Sequence, residues 1–419
     1  MKHENGETSR RRFIQTSGAM AAGVAVVGCA KQGKEICVNE ANPFPSVSPE
    51  SVNVDPERLQ AAVDFLDKEF AKGSFPGASL VATRHGKMFL EEYRGTYCDG
   101  RTRDVPVDGK QLNMVYSFSK VITATVVVMV RQDGLLDYDV PVSTYLPGFK
   151  GGGKDGITLR QCLTHSAGIP SVQRLGPALG DIAWQKNLDA VCGHETEWKP
   201  GSKTLYHGLS GMFVAAACAR VVCGMKPWNE ICKERLFDPI GAKSMTFGLP
   251  PADAQVALTP QPKDLPTPLD PAHFGMLGHP GGGGFARAED MLRLLNMHLD
   301  GGVWNGKRLI EKDAFAEMHR VQYANEIEAA VAAGKAPTHE FWALGWLTRG
   351  TTKTGWFGFG DTVSEEAYGH AGIDTVIGLA DPESGLALTY LTTDSPKSGE
   401  ETTRMRNEAT NLVAKALKG

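Results

Sequence analysis

The chain has 419 residues, of which 42% are hydrophobic and 22% are charged, as in an ordinary soluble globular protein. Its net charge of −4, without a long basic run, argues against nucleic-acid binding, which needs clustered lysine and arginine. The length allows one large two-lobed domain, or two domains, with an ample core.

The N-terminus has the features of an export signal. Arg10 and Arg11 form a twin-arginine pair, and a weakly apolar run of glycine, alanine and valine follows. The run is too short to anchor the chain in a bilayer. An arginine pair before such a run is typical of bacterial export. Residues 1–28 are therefore predicted to be a twin-arginine signal peptide, and the protein is expected in the periplasm or at the cell surface.

Cys29 ends the stretch VVGC, which resembles a lipobox, the motif whose cysteine is lipidated and becomes the new N-terminus. The alternative is an ordinary cleaved signal peptide with a chance cysteine. Residues 29–53 are polar and contain prolines, which predicts a tether. Contact with a membrane is expected through the lipid anchor only.

The sequence contains no pattern for a metal or an organic cofactor, so none is predicted. The eight cysteines show no CxxC pair and no zinc-ligand spacing, and mostly buried thiols are expected. His194-Glu195 opens like a zinc motif, but Trp198 stands where the second histidine would be. The glycine run at 281–284 lacks the Lys-Ser/Thr of a phosphate loop, which leaves close backbone packing near a cleft as its expected role.

The hydrophobic patterns, taken in chain order, predict strands at both ends of the domain with helices between them. Asp55-Pro56 is a helix cap before apolar residues at helical spacing. Residues 78–95 form a predicted hairpin that turns at His85-Gly86. Later segments comprise loops and helices at about 135–285, an amphipathic helix at 288–299, a second hairpin within 373–393 and a final helix at about 400–418. This is an α+β pattern whose two ends are expected to build one sheet.

SFSK, at 117–120, is the only S-x-x-K in the sequence. A spacing of three residues places Ser117 and Lys120 on one helix face. A serine hydroxyl needs a neighbour to take its proton, and a lysine in a partly desolvated site can do so or can shift another base. The apolar run that follows favours a buried helix ending near Gly134, although its β-branched residues also suit a buried strand.

Two other serine patterns carry less weight. No G-x-S-x-G occurs, so the nucleophile elbow of α/β-hydrolases is absent. His165-Ser166 looks like a histidine–serine pair, but adjacent side chains do not generally point at each other. A structural role is therefore favoured for that pair.

The chain resembles the serine enzymes of the class C β-lactamase, DD-peptidase and family VIII carboxylesterase group. The resemblance covers nearly all of residues 54–418 and rests on stretches in the expected order, namely SFSK, DGLLDYDVPVSTYLP, ITLRQCLTHSAGIP, WKPGSKTLYHG, RLFDPIGAKSMTF and GGGGFARAEDMLRLL. It implies a β-lactamase/transpeptidase-like α+β fold for residues 54–419. In that fold an antiparallel sheet is flanked by N- and C-terminal helices, a mostly helical lobe spans about 135–285, and the active site lies between them.

The resemblance implies that Ser117 is the nucleophile and that Tyr206 acts with Lys120 as the general base. A phenol is weakly acidic in water, so a nearby lysine charge would have to favour its phenolate. The family often has Tyr-x-Asn, whereas this chain has Tyr206-His207-Gly208. Gly208 has no side chain to bond a substrate amide, which favours ester or unusual amide substrates over β-lactams.

The family's third motif is K-T-G or H-x-G on an edge strand beside the cleft. Of the two matches, KTG at 353–355 and HAG at 370–372, the second is favoured because a clear hairpin follows it. The resemblance then implies that Ala371 and Gly372 let substrate lie along the strand and that the N–H groups of Ile373 and Ser117 form the oxyanion hole. His370 would polarise substrate or assist proton transfer. Lys353 is expected on a loop near the cleft or in solvent.

The expected function is that of an exported serine hydrolase that forms an acyl-enzyme on Ser117. Its substrate would be a small ester, amide or peptide, and esterase-like activity is favoured. A D-Ala-D-Ala peptidase or β-lactamase stays open. A catalytically inactive surface binding protein also stays open, although the survival of Ser117, Lys120, Tyr206 and His370 speaks against it.

Overall fold

The computed structural model describes residues 43–98, 104–171, 180–251, 253–257, 277–351, 357–373, 376–394 and 398–418. The predicted signal peptide, Cys29 and the KTG triplet lie outside these residues. The strands are β1 (Gly77–Arg84), β2 (Lys87–Tyr97), β3 (Val105–Pro106), β4 (Leu112–Met114), β5 (Thr246–Phe247), β6 (Val256–Ala257), β7 (Gly284–Ala286), β8 (Val303–Trp304), β9 (Lys307–Arg308), β10 (Leu347–Thr348), β11 (Tyr368–Ala371), β12 (Ile377–Asp381) and β13 (Leu386–Thr392). The helices are α1 (Pro56–Ala71), α2 (Ser119–Gln132), α3 (Leu159–Leu163), α4 (Gly180–Gly193), α5 (Ser210–Val222), α6 (Trp228–Cys232), α7 (Ala288–Leu299), α8 (Lys312–His319), α9 (Ala324–Ala332) and α10 (Gly399–Lys415).

One antiparallel sheet joins the two ends of the chain, as predicted. Its order is β10-β11-β12-β13-β1-β2-β3, so the N-terminal hairpin pairs with the last strand. The β1–β2 hairpin turns where it was predicted to turn, because His85 and Gly86 both have positive φ, 49° and 73°. Two such residues form the turn type whose twist matches a hairpin.

Helices cover both faces of this sheet. Alternate residues of a strand point to opposite faces, and neighbouring residues of β1 enter different cores. Leu80 packs in a cluster with Leu66 of α1 and Val413 of α10. Val81 packs in a cluster with Met291 of α7. The predicted α+β arrangement, a sheet flanked by N- and C-terminal helices, is therefore confirmed.

The apolar run after SFSK is a buried helix rather than a strand. α2 is buried from Ser119 to Val130, and Gly134 follows its end with a φ of 77°. α2 packs against α5 of the helical lobe. A small sheet in the order β5-β7-β4-β6 borders this lobe, and its strands β4 and β7 lie next to the turn that precedes α2.

The described part of the predicted tether is packed on the domain. Phe44 is buried with its ring centroid 6.0 Å from that of Trp304. Val47 donates its N–H to the carbonyl of Met88 at 2.9 Å, and Ser46 bridges the same residue. Packing on the domain therefore begins before residue 54, because the apolar side chain of Phe44, between two prolines, is buried in the core.

Arg84 links the segments before α1 and after α10 to strand β1. Its nearly buried guanidinium donates hydrogen bonds to the carbonyls of Val52, Asn53, Ser384 and Lys418.

The described residues contain no helix that is both long and apolar enough to cross a bilayer. Free thiols are present at Cys162, Cys192, Cys218, Cys223 and Cys232, of which three are buried.

Candidate active site

Ser117 lies in a tight turn immediately before the buried helix α2. The turn spans Tyr116–Phe118, and Tyr116 has a left-handed φ of 43°. Such a conformation is uncommon for a bulky residue and marks local strain, which clusters at functional sites. Ser117 is partly exposed between two buried neighbours. The turn thus presents its hydroxyl at a surface while its flanks stay fixed in the core.

Lys120 follows one turn later with its amine inside the protein. Its Nζ lies 2.9 Å from Ser117 Oγ and 2.6 Å from the carbonyl oxygen of Gly281. The residue has 0% of its surface exposed. Burial holds the pKa of the Lys120 amine well below its usual range. The neutral amine, which has a lone pair to accept a proton, is favoured in this setting.

Tyr206 meets the same serine from the helical lobe. Its hydroxyl donates to Ser117 Oγ at 2.8 Å, and Lys120 Nζ lies 5.2 Å from its ring centroid. Burial raises the pKa of the Tyr206 phenol, and the hydrogen bond with Ser117 only partly opposes the rise. This differs from the expected lysine-stabilised phenolate, because desolvation disfavours the charged form of both groups. Burial thus favours the phenol form of Tyr206 and the neutral form of the Lys120 amine.

The HAG strand lies beside these groups. His370 is fully buried, with its ring centroid 5.9 Å from that of Tyr206. Burial is the main cause that holds its pKa well below the usual value, so its imidazole is neutral. β10 pairs with Tyr368 and Gly369 only, so this pairing does not reach the HAG triplet.

Gly372 lets the end of β11 approach the nucleophile turn. A Cβ there would lie 2.8 Å from the carbonyl of Val115 and 3.1 Å from Cβ of Tyr116. Ile373, the predicted oxyanion donor, follows directly. Ala371 is buried in the core next to it. The structure therefore brings Ser117, Lys120, Tyr206 and the HAG strand together, while their catalytic roles stay predictions.

Aromatic side chains that sequence reasoning missed surround the tyrosine. Trp342 is fully buried and stacks on Tyr206 with a centroid distance of 5.9 Å and an interplanar angle of 10°. Phe357 contacts Tyr206 edge-on at 5.8 Å and His370 at 5.1 Å. Neither residue belongs to a motif, and both come from a part of the chain more than 130 positions from Tyr206, so no local signal could have identified them.

The glycine run supplies the acceptor for Lys120. Gly281 offers its carbonyl to the amine, and Gly284 donates its N–H to Ser119 Oγ at 2.9 Å. A Cβ on Gly281 would lie 3.1 Å and 3.2 Å from the carbonyls of Gly208 and Leu209. The run therefore packs closely against the tyrosine segment, as expected from the sequence.

Gly208, by contrast, has few neighbours among the described residues. Of these, a Cβ there would meet only Ser171 Oγ, at 3.9 Å. The position two residues after Tyr206 thus offers no side-chain hydrogen bond. Within the described residues, no group of three or more histidine, cysteine, aspartate or glutamate side chains could hold a metal ion.

A family model described as Beta-lactamase matches residues 60–411. The chain belongs to the beta-lactamase family. Relatives in this family are serine hydrolases, namely esterases, peptidases and amidases, and the chain is accordingly a serine hydrolase. The β-lactamase/transpeptidase-like fold implied by the sequence is confirmed.

The names of proteins similar to this chain indicate different activities. The chain is 29% identical over 210 residues to "Esterase/beta-lactamase LipL" of Mycobacterium tuberculosis, a match that covers 50% of this chain and 48% of LipL, about half the length of each. A penicillin-binding protein homologue from Caulobacter crescentus has a similar fold, with a TM-score of 0.70, 23% identity and coverage of 86% of this chain and 98% of the other. A family VIII carboxylesterase does too, with a TM-score of 0.67, 23% identity and coverage of 85% and 97%.

Substitution of Gly281 by alanine tests the contact between the glycine run and Lys120. The added methyl group would lie tightly against two backbone carbonyls, and relief of that contact by a small movement of the Gly281 backbone would displace the carbonyl that binds Lys120 Nζ. We expect kcat/KM for a p-nitrophenyl ester to fall about tenfold or more, because small displacements of catalytic groups are costly. Gly156→Ala, where a Cβ has nothing within 4 Å, is the matched control. Equal activity of the two variants would contradict the prediction.

Proposed function

We propose that the protein is an exported serine hydrolase that cleaves uncharged carboxylic esters through an acyl-enzyme on Ser117. One observation carries the proposal: the Ser117 hydroxyl lies within hydrogen-bond distance of both the Lys120 amine and the Tyr206 phenol, at 2.9 Å and 2.8 Å. This arrangement places a proton acceptor and a proton donor on one nucleophile.

In the proposed acylation step, Ser117 Oγ attacks the ester carbonyl and its proton passes to the neutral Lys120 amine. The carbonyl oxygen becomes an oxyanion, for which the N–H groups of Ser117 and Ile373 are the candidate donors. Tyr206 gives its proton to the departing alkoxide and regains one from the Lys120 ammonium. Collapse of the oxyanion releases the alcohol, and water repeats the sequence in reverse to release the acid.

Two features favour an ester over a β-lactam or a peptide. Gly208 provides no side-chain amide two residues after Tyr206, and among the described residues only Ser171 Oγ lies within 4 Å of where its Cβ would be. His370 is neutral, so the HAG triplet supplies no charge to bind a substrate carboxylate.

The decisive experiment compares the wild-type protein with Ser117→Ala on p-nitrophenyl butyrate. We expect at least a thousandfold loss of hydrolysis and complete loss of covalent labelling by a fluorophosphonate probe, because removal of the nucleophile of a serine hydrolase can lower kcat by about 10⁶-fold. Ser51→Ala, at an exposed serine outside the site, is the control. Undiminished hydrolysis by Ser117→Ala would refute the proposal.

A D-Ala-D-Ala peptidase or β-lactamase is the second candidate, favoured by family membership and by the fold shared with the penicillin-binding protein homologue. Nitrocefin and a D-Ala-D-Ala peptide, assayed on the same preparation, distinguish it from the esterase. We expect kcat/KM for the ester to exceed both others; the reverse order would assign the second function.

The pKa of Lys120 predicts the pH dependence of acylation. Because burial lowers this pKa well below that of a free lysine, the amine is neutral above the lowered value and protonated below it. We expect kcat/KM to rise with pH through that value and then level off well before pH 10. Lys120→Arg, which stays protonated, should lose about 10²- to 10⁴-fold. A pH–rate profile that keeps rising through pH 10 would contradict a neutral-amine base.

We also propose that the protein is exported by the twin-arginine route and lipid-anchored at Cys29, on the strength of the arginine pair and the VVGC stretch. Labelled fatty acid should be incorporated into the wild-type chain in a bacterial host. Cys29→Ala should abolish the label while leaving ester hydrolysis intact. Equal labelling of both chains would exclude Cys29 as the lipid site.

A further inference from the structure

His165 lies against the site and takes no part in the chemistry proposed above. Its side chain is fully buried, and its ring centroid lies 4.8 Å from that of Tyr206 and 4.5 Å from that of Trp342. Trp342 in turn stacks on Tyr206. The three rings form one packed cluster, so the tyrosine ring is held by two other rings.

The backbone of His165 occupies a position that glycine usually fills. It follows the end of α3, and the N–H of Ser166 bonds to the carbonyl of Gln161 at 3.0 Å. A bond of this kind, from a residue just past a helix to a carbonyl five positions earlier, is typical of helices that end in a left-handed residue directly before the donor. That residue is most often glycine and sometimes asparagine. His165 has a φ of 54°, so a ring-bearing residue accepts a strained conformation there.

The imidazole bears a second cost. No hydrogen bond of good geometry reaches Nδ1 or Nε2 of His165 from the described residues, although the backbone of His207 lies close to the ring. Burial, together with the nearby His207 and Lys120, holds the pKa of the ring well below its usual value, so the ring is neutral. A buried polar group without partners is destabilising, and such exceptions call for an explanation.

The same turn fixes the backbone that leads into Tyr206. The carbonyl of His165 accepts the N–H of Leu205 at 3.1 Å, and the carbonyl of Ser166 accepts the N–H of Gly201 at 2.8 Å. Leu205 directly precedes Tyr206. His165 therefore contacts the tyrosine segment through its backbone and the tyrosine ring through its side chain.

We propose that His165 is a positioning residue that keeps the Tyr206 hydroxyl aligned with Ser117. The site needs a flat ring against Tyr206 and a left-handed backbone at one residue. Histidine is several-fold enriched in the left-handed region and carries such a ring. The strained backbone and the burial of a polar ring without a well-formed hydrogen bond are the cost of meeting both needs. This inference rests on the proposed function, in which Tyr206 transfers a proton.

Asparagine at position 165 separates the two needs, since it tolerates the left-handed backbone but lacks the ring. We expect His165→Asn to lower kcat for p-nitrophenyl butyrate about 10- to 100-fold with KM changed about twofold at most, as for a misplaced catalytic group. His165→Phe keeps a ring and strains the backbone. It should keep kcat within about threefold while its melting temperature falls.

A double-mutant cycle with Tyr206→Phe distinguishes loss of Tyr206 alignment from a general loosening of the site. In Tyr206→Phe protein there is no hydroxyl to align, so adding His165→Asn should change the rate of Ser117 labelling by a fluorophosphonate about twofold at most. Ser166→Ala is the control. It removes the side-chain hydrogen bonds from Ser166 to Thr164 and Tyr323 but keeps the ring of His165, so it should keep wild-type kcat.

Three results would overturn the inference: an unchanged kcat in His165→Asn, an equal loss in His165→Asn and His165→Phe, or an equal effect of His165→Asn with and without the Tyr206 hydroxyl. Failure of the proposed function looks different, because Ser117→Ala would then stay active whatever residue stands at position 165.

Discussion

The removal of the Lys120 amine from water is the constraint on which the site depends. An isolated buried ammonium ion is costly, and the groups that meet this amine are a carbonyl oxygen and a hydroxyl rather than a carboxylate. The neutral amine is favoured in consequence, and a neutral amine has the lone pair that the proposed transfer of the Ser117 proton requires. The same desolvation favours the phenol form of Tyr206, so one physical cause favours a proton acceptor and a proton donor beside the serine.

The fold produces this burial by enclosing α2 from several sides. The α2 helix packs against α5 of the helical lobe, while the glycine run before β7 and the end of β11 reach it from distant parts of the chain. Glycine matters at Gly372, where a Cβ would collide with the carbonyl of Val115, and at Gly281, where a Cβ would make tight contacts with two carbonyls. The closeness of these backbones, more than any single charge, makes the cleft dry around Lys120.

The groups around the tyrosine bear on the proposed substrate preference and on the position of the ring. Among the described residues, Gly208 and the neutral His370 offer no side-chain amide and no charge, which fits the proposed uncharged ester. Trp342 and His165 pack against the tyrosine ring from the inside. His165 combines backbone strain with a buried polar ring, the pattern expected where local stability is sacrificed for geometry.

Much of this was predictable from sequence because it is local. The spacing of Ser117 and Lys120, the turn at His85-Gly86, the hairpin after HAG and the amphipathic helices depend on residues within a few positions of one another. Motif order, compared with a known family, added Tyr206 and the choice of HAG. Tertiary structure alone decided the rest: the Gly281 carbonyl at Lys120, the rings around Tyr206, the strained His165 and the packing of residues 43–53. The protonation states of Lys120 and Tyr206 also belong here, since they depend on how completely distant segments exclude water, which no local pattern records.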